Sequence, residues 1–269
     1  MHHLSVCAAG LGGVSINADA AAAVAARLKP DEVRAAARAG FPVRFETIED
    51  EITFLAIYRL LDFGSEYDEQ LRAATGRDAR ETMQFGALGL HLGAKRLDRH
   101  FLKDFSLFGV TNYFSFEARV DHPLADAIRA TLNGAGAALE RLGQRTFGQH
   151  ILKLLDARKA AGEPALAAAL VADLAANFPG FDDVATCGES RKAQALAADL
   201  FARFGMPTDV GTADPGTAAP DARFAWDDAA LLAGDSGALA AAAWRGLGVV
   251  ALPEALAAAV DGGQPLSVL

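Results

Sequence analysis

Alanine dominates this chain, and the larger apolar side chains set among the alanines recur at helical rather than strand spacing. Strand-like alternation is scarce, so the pattern points to helices. The clearest instance runs from Glu49 to Phe63, where Ile52, Leu55, Ala56, Ile57, Leu60 and Leu61 keep helical register. Asn17 and Asp19 are suited to cap a helix reaching about Leu28. Helical spacing continues through Ala79 to Leu92, Leu124 to Leu142, Phe147 to Lys159, Ala165 to Asn177 and Ser190 to Phe204. It resumes in Asp227 to Leu232, Gly237 to Arg245 and Pro253 to Val260. Gly143, Gly205 and Gly246 stand where helices would end. The chain is therefore predicted to be mainly α, a single compact multi-helix domain.

Composition narrows the classes further. With 269 residues, 52% hydrophobic and 22% charged, the chain is long and apolar enough to bury a core and is not disordered. Lys and Arg number 25 against 34 Asp and Glu, a formal charge of −9. Such a balance repels nucleic acid in bulk, although a local basic pocket is compatible with it. No apolar run approaches the ~18 residues of a membrane span, and the richest stretch, Ala229 to Trp244, is interrupted by Asp235. Met1 to Val14 lacks the basic start of a signal peptide. The two cysteines, Cys7 and Cys187, form no disulfide framework, so a cytoplasmic setting is expected. Residues 1–13 read as an N-terminal extension and residues 14–269 as the helical domain, with a candidate subdivision near residue 120. Pro207 to Asp221 is rich in Pro, Gly, Thr and Asp and reads as a long surface loop, either a linker or the cover of a pocket.

Common catalytic motifs are absent. The chain has no phosphate loop, no H-E-x-x-H and no G-x-S-x-G. Gly10, Gly12 and Gly13 cluster without a preceding strand, which makes a poor dinucleotide motif. The histidines, at positions 2, 3, 91, 100, 122 and 150, lack ligand spacing, so neither metal nor cofactor is expected. His91 reads as a core or rim residue on an apolar helix.

Two stretches stand out. In Cys187-Gly188-Glu189-Ser190-Arg191-Lys192-Ala193-Gln194, Ser190 is placed as an N-cap, with Arg191 and Lys192 in the first turn. Cations there oppose the helix dipole, whereas anions are favoured. The pair could cradle a phosphate or carboxylate, or simply pair with Asp182, Asp183 or Glu189. In Trp226 to Asp235, Asp235 sits within an apolar segment, where an ionised carboxylate is costly unless partnered. Gly234-Asp235-Ser236-Gly237 is also a good cap-and-turn string, so cap and catalytic acid both remain open. Asp227 and Asp228 suit a helix start. Gly246 to Val250 reads as a corner between two helices.

At these residues the chain resembles the queuosine salvage family. Phe178-Pro179-Gly180-Phe181-Asp182-Asp183-Val184, then Arg191-Lys192-Ala193-Gln194 and Ala198-Asp199, is similar to that family's F-P-x-[FY]-x-D-V … K-R-A-Q-x-L-x-A-D run. Leu132-Asn133 with Gly136 and Leu139, Val14 to Asn17, Phe41-Pro42-Val43 and Leu61-Asp62-Phe63 resemble earlier family segments. Leu247-Gly248-Val249 resembles a later one. The family's H-P is Phe41-Pro42 here, and its F-A-D-Y-R is replaced by Leu232-Ala233-Gly234-Asp235-Ser236-Gly237. Registering on the later L-G-V sets Gly237 opposite the family's acid, and a two-residue shift sets Asp235 there.

The resemblance implies an N-glycosidase-type hydrolase in tRNA-modification salvage, releasing a queuine-like base from a nucleoside or its 5′-phosphate. A DNA-glycosylase-like helical architecture is one arrangement for such a chain. Breaking the C–N bond develops oxocarbenium charge that a carboxylate stabilises. Asp235 is the expected acid, with Asp228 as substitute. Arg191 and Lys192 would hold the phosphate. Asp199 would orient them or touch ligand, and Phe63, Phe181 and Trp226 would stack on the base unless they serve core packing. The expected partner is a small-molecule nucleoside or nucleotide. The alternative is a non-catalytic nucleoside-binding or protein-interaction module that kept the fold and lost the acid.

Overall fold

The computed structural model describes residues 13–29, 32, 43–94, 96–115, 123–184, 190–206, 220–232 and 238–262. In chain order its elements are strand β1 (Ser15–Ile16), helices α1 (Ala18–Arg27), α2 (Ile48–Leu60), α3 (Asp68–Thr75), α4 (Ala79–Gly93), α5 (Arg99–Lys103), α6 (Leu107–Phe114), α7 (Pro123–Arg141), α8 (Phe147–Ala160), α9 (Ala167–Asn177), α10 (Arg191–Leu200) and α11 (Ala238–Gly246), strand β2 (Val250–Ala251) and helix α12 (Glu254–Asp261). The protein is mainly α, as the apolar spacing predicts. Packing divides the chain into two compact units, Met1–Ala36 with Asp235–Leu269, and Ala37–Gly234.

The larger unit is organised around α2. Thr47 caps this helix by accepting the Asp50 N–H at 3.1 Å. Ile52, Thr53, Phe54, Leu55, Ala56, Ile57 and Leu60 are all buried. A helix apolar on nearly every side must be enclosed, and α4, α8 and α10 pack against α2. Gly148, on α8, is required for that approach, because a methyl group there would overlap the Glu49 carbonyl oxygen. The Gly148 N–H donates to the Thr53 hydroxyl at 2.9 Å, and this hydroxyl donates to the Glu49 carbonyl at 2.7 Å. Helices α5 and α6 lie against α7, and α9 against α10. Gly143 ends the turn after α7 in the left-handed region, at φ 65°.

Among the described residues, three helices escape the periodicity reading: α3, α5 and α6. They are five to eight residues long, too short for an apolar repeat to declare itself. Their ends are set by local hydrogen bonds. Asp98 accepts the N–H groups of His100 and Phe101, and Ser106 accepts that of Gly109.

In the smaller unit β1 and β2 pair antiparallel, Ser15 opposite Ala251 and Ile16 opposite Val250. The Asn17 N–H also donates to the Val249 carbonyl at 2.8 Å. The segment Gly246 to Val250 is therefore a helix-to-strand turn rather than a plain corner between helices. Arg245 and Asp261 form a forked pair at 2.8 and 2.7 Å. Among the described residues, no helix is long and apolar enough to cross a membrane. Most of the N-terminal extension and of the Pro207 to Asp221 stretch lies outside the described residues.

Candidate functional site

Arg191 and Lys192 sit where the last turn of α2 meets the first turn of α10. Lys192 is buried, and its Nζ donates to the Leu60 carbonyl oxygen at 3.1 Å. The same ammonium lies 4.8 Å from the centroid of the half-buried Phe63 ring, within cation–π range. Arg191 donates through Nη1 to Asp62 Oδ2 at 2.7 Å and through Nη2 to the Asp62 carbonyl at 2.8 Å. Its Nε stands 3.9 Å from Asp183. The two cations thus sit at the negative end of α2 as well as at the positive end of their own helix, which offsets the unfavourable dipole term.

Ser190 occupies the N-cap position as expected, but its side chain makes no capping hydrogen bond. The Lys192 N–H instead approaches Asp183 Oδ2 at 3.4 Å. An anion does sit at this helix N-terminus, and it is a carboxylate of the protein itself.

Asp199 is engaged by Arg59. Its carboxylate takes both donors of Arg59, Nε at 2.6 Å and Nη2 at 2.8 Å. Burial disfavours the Arg59 charge, but the Asp199 hydrogen bonds and charge outweigh it and hold the guanidinium pKa above its ordinary value. Arg59 is also 4.0 Å from Asp62. The network combines Arg59, Arg191 and Lys192 with Asp62, Asp183 and Asp199, three cations balanced by three anions. Arg59 and Asp62 were missed as network members. The available signal was an arginine in the otherwise apolar helix around Ile57, which demands a partner.

The other candidates lie elsewhere. Asp228, read as a substitute acid at a helix start, stands at the start of the 3-10 turn Ala229–Leu231, and its carboxylate caps a helix remote in sequence. Its Oδ1 accepts the Ala167 N–H at 2.6 Å and its Oδ2 the Ala168 N–H at 3.0 Å, at the start of α9. Phe181 is wholly buried, packed on Phe147 and Phe178 with centroids at 6.0 and 6.5 Å. Trp226 is 5% exposed and donates its indole N–H to the Ala197 carbonyl at 3.2 Å. Both aromatics are core residues, so neither presents a face for stacking on a base. Asp235 and Gly237 lie outside the described residues, as do Cys187, Gly188 and Glu189. Among the described residues, no group of three or more His, Cys, Asp or Glu side chains could hold a metal ion.

Compared with known families and with curated proteins, the chain matches no family model and no curated sequence.

Proposed function

We propose that this protein is an N-glycosidase-type hydrolase releasing a base, of queuine or related kind, from a nucleoside or its 5′-phosphate. One observation carries the reading beyond the sequence resemblance. Leu61-Asp62-Phe63 and Arg191-Lys192, two resembling stretches 129 residues apart, are in direct contact through Arg191 and Asp62. In this reading Arg191 and Lys192 exchange part of their internal partners for a ligand phosphate. Phe63 is the one candidate aromatic that is both beside Lys192 and incompletely buried. Asp235 remains the assigned acid.

The test is incubation with queuosine 5′-phosphate, queuosine and ordinary nucleotides, with free base followed by chromatography. Release by wild type and its loss in Asp235→Ala support the proposal. Release that survives Asp235→Ala moves the acid elsewhere.

A second reading, a binding module without catalysis, is favoured by one specific feature. Asp228 spends both carboxylate oxygens on backbone N–H groups of α9, a structural role for one of the two acids considered. Ligand that stabilises the protein thermally and is recovered intact would select this reading.

A further inference from the structure

A cavity of about 590 Å³ opens at the N-terminal end of α2. The thirteen residues of that helix place it about 20 Å from the Lys192 cluster at the other end. Three arginines line it: Arg44, Arg96 and Arg145. Arg145 is engaged, donating to Glu49 Oε1 at 3.3 Å, and the Thr146 hydroxyl donates to the same oxygen at 2.7 Å. Arg44 and Arg96 are exposed and have no ion-pair partner among the described residues.

The backbone that carries Arg44 is anchored. His91 Nε2 donates to the Arg44 carbonyl oxygen at 3.2 Å. The His91 ring packs on Phe45 and Phe54, with centroids at 4.7 and 5.6 Å. Phe45 in turn joins the hydrophobic core. One guanidinium is thereby fixed at its root, beside a cavity large enough for an organic ligand.

Three carboxylates, Glu46, Glu49 and Asp50, share the cavity with the three arginines, so the pairing of these charges decides the class of ligand: Glu49 is matched by Arg145. Two guanidiniums without carboxylate partners suit a dianion, and a phosphomonoester carries close to two charges at neutral pH. Glu46 and Asp50 line the same cavity, with the Asp50 carboxylate accepting the Thr47 hydroxyl at 2.6 Å. Their oxygens suit ligand hydroxyl groups and repel a second phosphate. We propose that this cavity binds a hydroxylated phosphomonoester of sugar-phosphate or nucleoside-monophosphate size. Arg44 and Arg96 hold its phosphate, and Glu46 and Asp50 accept its hydroxyls. The site is separate from the Lys192 cluster and stands whether or not the protein cleaves glycosidic bonds.

The experiment is calorimetric titration of ribose 5-phosphate, ribose and inorganic phosphate into wild type, Arg44→Ala/Arg96→Ala and Glu46→Gln/Asp50→Asn, at fixed ionic strength. Ribose 5-phosphate is expected to bind wild type at one site and to lose at least about tenfold in affinity in the arginine variant. The amide variant is expected to weaken ribose 5-phosphate without weakening inorganic phosphate, since it removes two negative charges from the cavity. Ribose and phosphate alone are expected to bind at least about tenfold more weakly than ribose 5-phosphate. Arg44 and Arg96 are exposed, so the first variant keeps its fold, and thermal midpoints verify this. Equal affinity in wild type and the arginine variant overturns the proposal. So does inorganic phosphate binding as tightly as ribose 5-phosphate, or no binding to wild type at millimolar ligand. Base release is scored in its own assay, so either reading can fall alone.

Discussion

The Lys192 ammonium donates to the Leu60 carbonyl oxygen at 3.1 Å, joining the first turn of α10 to the last turn of α2. Carbonyls in the last turn of a helix have no partner within it, and a lysine from another helix supplies one here. Arg191 completes the joint through the side chain and backbone of Asp62. Two cations that would weaken their own helix start thus become the C-terminal partners of α2.

Replacing Lys192 by Met keeps most of the stem and removes the ammonium. The buried Leu60 carbonyl then loses a donor, and stability is expected to fall by about 1–3 kcal/mol. Urea unfolding measures this directly. A Met variant as stable as wild type would show that the ammonium is not needed for the fold.

Asp228 makes a sharper case, because cap and catalyst predict different outcomes. Asp228→Ala removes the acceptor for the Ala167 and Ala168 N–H groups and is expected to cost about 1 kcal/mol. Asp228→Asn keeps one acceptor and costs less. Base release per folded molecule is expected to be unchanged in both. Release abolished in Asp228→Asn at wild-type stability would restore Asp228 as a catalytic acid.

The long helices were legible because their apolar repeat is local. Ile52, Leu55 and Leu60 declare α2, and Asn17 marks the start of α1 by accepting the Ala20 N–H at 3.0 Å. Asp227 to Leu232 also reads as a helix but forms only the short 3-10 turn Ala229–Leu231. Tertiary bonds override the local preference there. The Asp227 N–H donates to the Ala165 carbonyl at 2.8 Å, and the Asp228 carboxylate is turned onto α9. The Arg191–Lys192 pair was visible as adjacent letters, but its partners Asp62 and Leu60 are 129 and 132 residues away. No local pattern encodes such a pairing. The arginine cavity is less legible still, since Arg44, His91, Arg96 and Arg145 come from separated stretches of chain.

Two glycines test the packing from opposite directions. At Gly148 a methyl group would overlap the Glu49 carbonyl, so Gly148→Ala is expected to destabilise by about 1–3 kcal/mol as α8 is forced from α2. At Gly134, within α7, a methyl group meets nothing within 4 Å. There alanine is expected to stabilise by about 0.5–1 kcal/mol through its better helix propensity. Thermal unfolding of both variants reads the two signs. Equal shifts would mean that the α2–α8 approach can relax.

Asp78 links stability to pH with little ambiguity. At the start of α4 its Oδ1 accepts the Glu81 N–H at 2.9 Å, Glu81 accepts the Asp78 N–H at 3.2 Å, and Arg72 donates to Asp78 Oδ2 at 3.1 Å. The Glu81 backbone donor, followed by Arg72, holds the Asp78 carboxyl below the usual carboxylate range. A carboxyl with a lowered folded-state pKa binds fewer protons folded than unfolded. Its stabilisation is therefore fully present above the unfolded value of about 4 and is lost as pH falls through the lower folded value. Asn at position 78 keeps a capping oxygen but cannot titrate. Wild type is expected to exceed Asp78→Asn by a few tenths of a kcal/mol at neutral pH, a small difference because solvent screens the pair. The difference is expected to close as pH falls below the ordinary carboxylate range, measured by urea midpoints. Asp221, lowered chiefly by its hydrogen bonds from Arg223, titrates in both proteins and cancels from the comparison. A gap that persists undiminished in acid would assign the effect of the substitution to local packing rather than to charge.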